Sequence, residues 1–185
     1  MADPKPIRRV VTGNDAQGRS CVLFDSAAPN VDPGAISRGT CMTDLWVYHG
    51  VPAPIAGTRD DGNLPFHFEP PAAGGHLRIV QSPTKPAGYD LAKDPGHVPL
   101  HRPRRRPDGV WDRGGQNSFS SPIHKSQTLD FGILLSGERV LVLDSGEIVM
   151  TPGDVVVQLG NWHGWTNPRA DSLMAFVMMG ATFDE

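Results

Sequence analysis

The stretch His124-Lys125-Ser126-Gln127-Thr128-Leu129-Asp130 decides how this chain reads. In an extended strand alternate residues share a face. His124, Ser126, Thr128 and Asp130 therefore line one side, and Lys125, Gln127 and Leu129 the other. Lys125 suits solvent, which turns the His-Ser-Thr-Asp row toward an interior. From this segment alone the opposite orientation stays open, with the polar row in water, because Phe131, Ile133 and Leu135 continue the Lys125 face. If the row is internal, those three apolar residues pack against an arm or another subunit.

A second segment favours the internal row. Residues 153–167 read as a turn, an apolar strand, a glycine turn and the start of another strand, with His163, Trp165 and Asn167 on one parity. Further strand-like runs surround the two segments, at residues 129–135, 140–143, 147–150, 155–158, 164–167 and 173–179. Asp144-Ser145-Gly146 predicts a tight hairpin, and Pro152-Gly153-Asp154 a type II turn. Short antiparallel strands at this spacing make a sandwich or barrel. In the first half the strand-like runs are residues 9–11, 21–24, 45–48 and 77–80, while helical periodicity is almost absent.

Residues 84–122 differ from both flanks. They hold Pro86, Pro95, Pro99, Pro103 and Pro107 and the cluster His101-Arg102-Pro103-Arg104-Arg105-Arg106. A connection this long is a lid, an arm or a loosely ordered segment. Its arginines form a solvated face or, in the sharper reading, a clamp for an anionic substrate or acidic partner.

The 185 residues suit one domain, or one domain with an arm, and are enough to bury a core without staples. Gly (21) and Pro (18) together exceed the usual share of about 12%, which favours turns over long helices. A net charge of −3 gives no electrostatic reason to expect nucleic acid. Cys21 and Cys41 stand outside any CxxC or zinc spacing and read as free thiols. The opening MADPKPIRRVV lacks the apolar run of a secretory signal, and the longest apolar run, residues 173–179, is far short of the ~20 residues of a membrane helix. The expectation is a soluble, cytoplasmic protein with neither nucleic acid nor membrane as partner.

The two decisive segments resemble the two motifs of the cupin superfamily. The first motif runs histidine, a second histidine two residues on, an acid four later and a glycine seven later; this chain has His124, Ser126, Asp130 and Gly137. The second ends in glycine, two residues, histidine, three residues, asparagine; this chain has Gly160, His163 and Asn167, preceded by Pro152-Gly153-Asp154. Further upstream, Arg8-Arg9-Val10-Val11-Thr12-Gly13, Thr43-Asp44-Leu45-Trp46 and Gly74-Gly75-His76-Leu77-Arg78-Ile79-Val80 resemble an arm that recurs in one group of single-barrel cupins.

The resemblance implies an all-β jelly-roll barrel with an N-terminal strand arm. Residues 1–121 supply the arm, outer strands and Pro/Arg-rich loop, residues 122–185 the barrel core, and together they make one structural domain. It also implies a homodimer in which each arm adds strands to the partner's sheet. Cupins typically hold a divalent metal through three histidines and a glutamate. Here Ser126 replaces one histidine and Asp130 the glutamate. The implied ligands are His124, Asp130 and His163, a set suited to Fe, Mn, Ni or Zn. A metal-free pocket is the alternative, with the two histidines as hydrogen-bonding or acid–base groups. Ser126, Thr128, Trp165, Asn167 and Arg78 are the candidates for contacts to a small-molecule substrate, and His163 and Asp130 for moving a proton. The implied function is a metal-dependent enzyme acting on a small oxygenated organic molecule by elimination, decarboxylation or isomerisation. A non-haem Fe(II) dioxygenase and a non-catalytic barrel that binds a small molecule are the alternatives.

Overall fold

The computed structural model describes residues 4–34, 37, 39–55 and 57–183. In it every even-numbered residue from His124 to Leu134 is buried, while Lys125, Leu129, Phe131 and Ile133 are half-buried and Gln127 and Leu135 are exposed. The orientation that the sequence left open is thereby decided: the polar row faces the interior.

The described residues form fourteen strands and one 3-10 turn, Leu91–Lys93, with no α-helix among them. In chain order the strands are β1 (Arg8–Asn14), β2 (Ser20–Ala27), β3 (Asn30–Pro33), β4 (Cys41–Tyr48), β5 (Gly75–Ser82), β6 (Arg104–Arg105) and β7 (Trp111–Asp112). They continue as β8 (His124–Lys125), β9 (Thr128–Gly137), β10 (Arg139–Leu143), β11 (Gly146–Met150), β12 (Val155–Leu159), β13 (Gly164–Thr166) and β14 (Ser172–Gly180). A six-stranded antiparallel sheet runs β12-β9-β14-β5-β4-β3, and a three-stranded sheet runs β11-β10-β13. Their inner faces share one apolar core. Met42, Val80, Leu134, Met174 and Phe176 come from the large sheet, and Leu141 and Trp165 from the small one. Leu134 and Met174 are fully buried. Each such side chain contributes about 1.5–3 kcal/mol relative to exposure.

The all-β jelly roll expected from the sequence holds, as two facing sheets rather than a fully closed barrel. Its core is not confined to residues 122–185. β4 and β5 sit inside the large sheet, with β5 paired to β14 from Ser82↔Ser172 to Gly75↔Met179. β1 and β2 stand apart as a two-stranded hairpin, and β6, β7 and β8 form a small antiparallel sheet of their own. That hairpin is pinned by Arg9, whose buried guanidinium is paired with the Asp60 carboxylate and donates to the Leu45 carbonyl at 3.2 Å. β3 escapes a sequence reading because Asn30, Asp32 and Pro33 are not strand formers; its pairing with β4 holds it extended.

Both turn predictions are met. β10 and β11 join through Asp144-Ser145, with Leu143 opposite Gly146. Asp154 N–H donates to the Thr151 carbonyl across Pro152-Gly153, and Gly153 has the positive φ, +97°, that a type II turn demands at that place.

The Pro-rich segment is held more firmly than its composition suggests. The Asp94 carboxylate accepts from the Gly96 and Ser118 amides, both at 2.7 Å, and from the Tyr89 hydroxyl at 2.6 Å. Val110 is driven into the core. Of the arginine cluster, Arg104 and Arg105 form β6 beside β7, and Arg106 pairs with Asp108 at 2.7 Å. Arg104 and Arg105 are exposed, so this part of the cluster is a solvated face. Cys21 and Cys41 are free. No helix among the described residues is long and apolar enough to cross a membrane.

Candidate functional site

His124 and His163 are brought together by the backbone. The two residues stand directly opposite in an antiparallel bridge and exchange both main-chain bonds: His124 N–H to the His163 carbonyl at 2.8 Å, and His163 N–H to the His124 carbonyl at 3.0 Å. Residues paired in this way project side chains to the same face, and the ring centroids lie 4.4 Å apart.

Each imidazole is anchored at Nδ1, His124 to the Pro122 carbonyl and His163 to the Asn161 carbonyl, both at 2.9 Å. A carbonyl oxygen only accepts, so Nδ1 carries the proton in both rings. Nε2 of each neutral ring is then left with a bare lone pair. Burial holds His124 below the ordinary histidine range. It brings His163 down to about 3, helped by the neighbouring His124. Both rings are neutral acceptors at pH 7. Phe68 packs edge-on against His124 and Trp165 against His163.

The rest of the row supplies polar groups to the same cavity. Ser126 and Thr128 bond each other through their hydroxyls at 2.7 Å. Asp130, two residues further, is buried, and its Oδ1 has no hydrogen-bond partner. Burial pushes its carboxyl up to about 6, against the opposing pull of the Thr128 hydroxyl and the Arg78 charge. Directly across the sheet from Asp130 is Gln158, whose amide oxygen and nitrogen are both buried without partners. Arg139, at the start of β10, also points a guanidinium into this space, with Nε and Nη1 buried and unpaired. Buried polar groups are normally satisfied by protein or by ordered water, and these open valences gather around one cavity. The free space is about 40 Å³, somewhat more than the ~30 Å³ share of one liquid water.

The other expected contacts have structural employment. Arg78 lines the cavity, but its Nε and Nη2 bond both oxygens of Asp44, at 2.6 and 3.0 Å, and its remaining donors reach the His67 and Phe68 carbonyls. Asn167 lines it too, and its amide donates to the Glu138 and Ala170 carbonyls. Asn167 thereby clamps the turn between β9 and β10. In that turn Gly137 has φ +79°, and a Cβ would meet the Asp171 carbonyl at 1.7 Å. The motif glycine and the motif asparagine together set the start of β10 and so the position of Arg139. Trp165 is buried between His163, Phe176 and the Arg139 guanidinium. Trp162, by contrast, lies outside the cavity, under Arg113 and Lys125.

The sequence reading passed over Arg139 and Gln158. A signal was present: each is a lone polar residue in an otherwise apolar strand, Arg139-Val140-Leu141-Val142-Leu143 and Val155-Val156-Val157-Gln158-Leu159. A larger groove of about 610 Å³, lined by acidic residues including Asp32, Glu69 and Asp108, lies elsewhere and holds neither histidine of the pair.

Cupins commonly bind a metal, and the resemblance raises the question of whether these residues fit one. The two anchored imidazoles are oriented as metal ligands are. No three His, Cys, Asp or Glu side chains among the described residues converge closely enough to hold an ion, however. Asp130 shares the cavity without joining the imidazoles as a third ligand, and the motif position that would supply another is Ser126, bonded to Thr128. The donor set does not fit a metal centre held by three protein ligands.

No family model matches the chain. A cupin-domain-containing oxidoreductase of Hypocrea virens is 42% identical over 65 residues, 35% of this chain and 34% of the relative. Phomopsin biosynthesis cluster protein C′ of Diaporthe leptostromiformis is 29% identical over 183 residues, 94% of this chain and 78% of the relative. Among solved structures, a cupin-2 domain protein of Rhodospirillum rubrum is similar with a TM-score of 0.43 at 12% identity, over 100% of this chain and 77% of that one. The match to the cupin-domain oxidoreductase spans about a third of that protein's length. Both motif histidines lie side by side in the jelly-roll interior, Gly137 and Gly160 occupy the positive-φ turns that close the motifs, and over 65 residues the chain is similar to a cupin-domain protein.

Proposed function

We propose that this protein is an enzyme that moves a proton on a small oxygenated organic molecule, with isomerisation, elimination or decarboxylation as the outcome. One observation carries the reading. Two bare imidazole Nε2 atoms, whose tautomers are fixed by carbonyls, share a buried cavity with a carboxyl whose Oδ1 has no partner and whose proton affinity is raised toward neutrality.

In this reading Asp130 takes or gives the proton. A group whose pKa lies near the working pH is the effective acid–base catalyst. His124 and His163, held neutral, accept hydrogen bonds from substrate hydroxyls and orient them. His163 also borders Trp165, which gives the bound molecule an apolar wall. Gln158, opposite Asp130, offers one donor and one acceptor to a developing enolate or alcohol.

The test is hydrogen exchange into a panel of small hydroxy- and oxo-compounds in D2O, followed by proton NMR. The expected result is protein-dependent exchange at a carbon next to a carbonyl, lost in Asp130→Asn. No exchange with any compound, or undiminished exchange in Asp130→Asn, overturns the reading.

Oxidative chemistry is the second reading. It is favoured by two adjacent bare imidazole nitrogens, the donor type of many metal centres, and by the word oxidoreductase in the names of cupin-domain relatives. Metal analysis separates the two. Stoichiometric metal in the purified parent, lost in both His124→Ala and His163→Ala and required for turnover, favours the second.

A further inference from the structure

Arg139 is a charge without a counter-charge. It is only 5% exposed, its Nε and Nη1 are buried with no hydrogen-bond partner, and among the described residues no carboxylate pairs with it. Asp130, the one carboxylate among the described residues that line the same cavity, forms no ion pair with Arg139. The Trp165 ring packs against the Arg139 guanidinium, 5.0 Å from its centre. Taking a guanidinium out of water is costly, and a fold gains from it only when an anion completes the site.

From this we infer that Arg139 seats the carboxylate of the substrate, and that the substrate class is a small hydroxycarboxylic acid. The inference deepens the acid–base reading and rests on it for the hydroxyl. The guanidinium offers a planar fork of donors that matches a carboxylate two-to-two. The free space of about 40 Å³ suits that flat group. The two histidines supply the complementary demand. Their bare Nε2 atoms accept and do not donate, so they call for a hydroxyl beside the carboxylate. Burial lowers the guanidinium pKa to about 9, which leaves Arg139 charged at neutral pH.

Three probes separate these demands by calorimetric titration. Glycolate carries both carboxylate and hydroxyl, acetate only the carboxylate, and glycolamide the hydroxyl with a neutral amide. Glycolate is expected to bind the parent at least tenfold more tightly than glycolamide, with acetate between them. Arg139→Met, which removes the buried charge and keeps an unbranched apolar stem, is expected to fold and to bind glycolate at least tenfold more weakly. His163→Ala is expected to narrow the gap between glycolate and acetate.

The inference is overturned if glycolamide matches glycolate, if glycolate does not bind the parent, or if Arg139→Met binds glycolate as the parent does. Should Arg139→Met not fold, the glycolate–glycolamide comparison in the parent decides alone. The two proposals fail separately. Hydrogen exchange that survives Asp130→Asn sinks the acid–base reading and leaves the titrations standing. A missing preference for glycolate sinks the carboxylate seat, while exchange on neutral hydroxyketones proceeds.

Discussion

Two buried arginines on the facing sheets are treated in opposite ways. Arg78, on β5, is 1% exposed; it meets both oxygens of Asp44 and two backbone carbonyls, and packs under the Phe66 and Phe68 rings. Arg139, on β10, has a tryptophan ring and nothing to bond. The contrast separates scaffold from site. A charge balanced by the protein's own atoms holds the fold, whereas a charge left unbalanced is addressed to something from outside. The rest of the cavity wall divides the same way: Asn167 is consumed by backbone carbonyls, while Asp130 and Gln158 keep open valences.

The sharpest way to break this contrast is to delete the scaffold charge. Arg78→Met leaves the buried Asp44 carboxylate uncompensated and is expected to cost about 3–5 kcal/mol, read as a drop in the urea midpoint. A loss below about 1 kcal/mol places Arg78 outside the scaffold.

The next effect is on the site side and depends on pH. The folded-state pKa of Asp130 is raised from 3.8 to about 6. Its contribution to stability is therefore fully present below pH 4 and is lost as pH rises through 6. At about 1.4 kcal/mol per unit the loss approaches 3 kcal/mol. Asp130→Asn is expected to be more stable than the parent by up to that amount at pH 7.5, with the advantage vanishing near pH 4. Parallel stability–pH curves for the two proteins would refute the raised pKa.

A smaller effect is expected at the unbalanced charge itself. Arg139→Met relieves desolvation without orphaning a partner and is expected to stabilise the unliganded protein by about 1 kcal/mol, visible as a rise in Tm of roughly 2–4 °C. A destabilisation above about 2 kcal/mol makes Arg139 a structural group and dissolves the comparison. Smallest of all is Arg104→Ala. Its exposed guanidinium lies 3.7 Å from Asp112, and the change in urea midpoint is expected to correspond to less than about 0.5 kcal/mol.

Much of the fold could be read from alternation and turn chemistry. The row from His124 to Asp130 predicted that its members share one face because the side-chain period of a strand is two, the second motif segment favoured turning that face inward, and Pro152-Gly153 predicted its turn because few residues accept that φ. β3 could not be read, since its pairing with β4 and not its residues makes it a strand. Nor could the extent of the core. Leu77-Arg78-Ile79-Val80 look like an outlying strand until β5 is seen paired with β14. The two histidines and the aspartate named from the sequence line one cavity. Arg78 and Asn167 were read as substrate contacts because residue type alone does not say whether a polar group already has a partner.

The sequence by itself determined the strand class, the shared parity of His124, Ser126, Thr128 and Asp130, and the glycine turns that close both motifs. These follow from local rules: the pleat alternates, and positive φ selects glycine. Tertiary structure alone decided which polar groups are spent and which are free. Satisfaction of a buried charge is a matter of distance between residues far apart in the chain, such as Asp44 and Arg78. No local pattern in Arg139-Val140-Leu141 shows that its guanidinium lines a cavity with two neutral imidazoles, without an ion pair among the described residues.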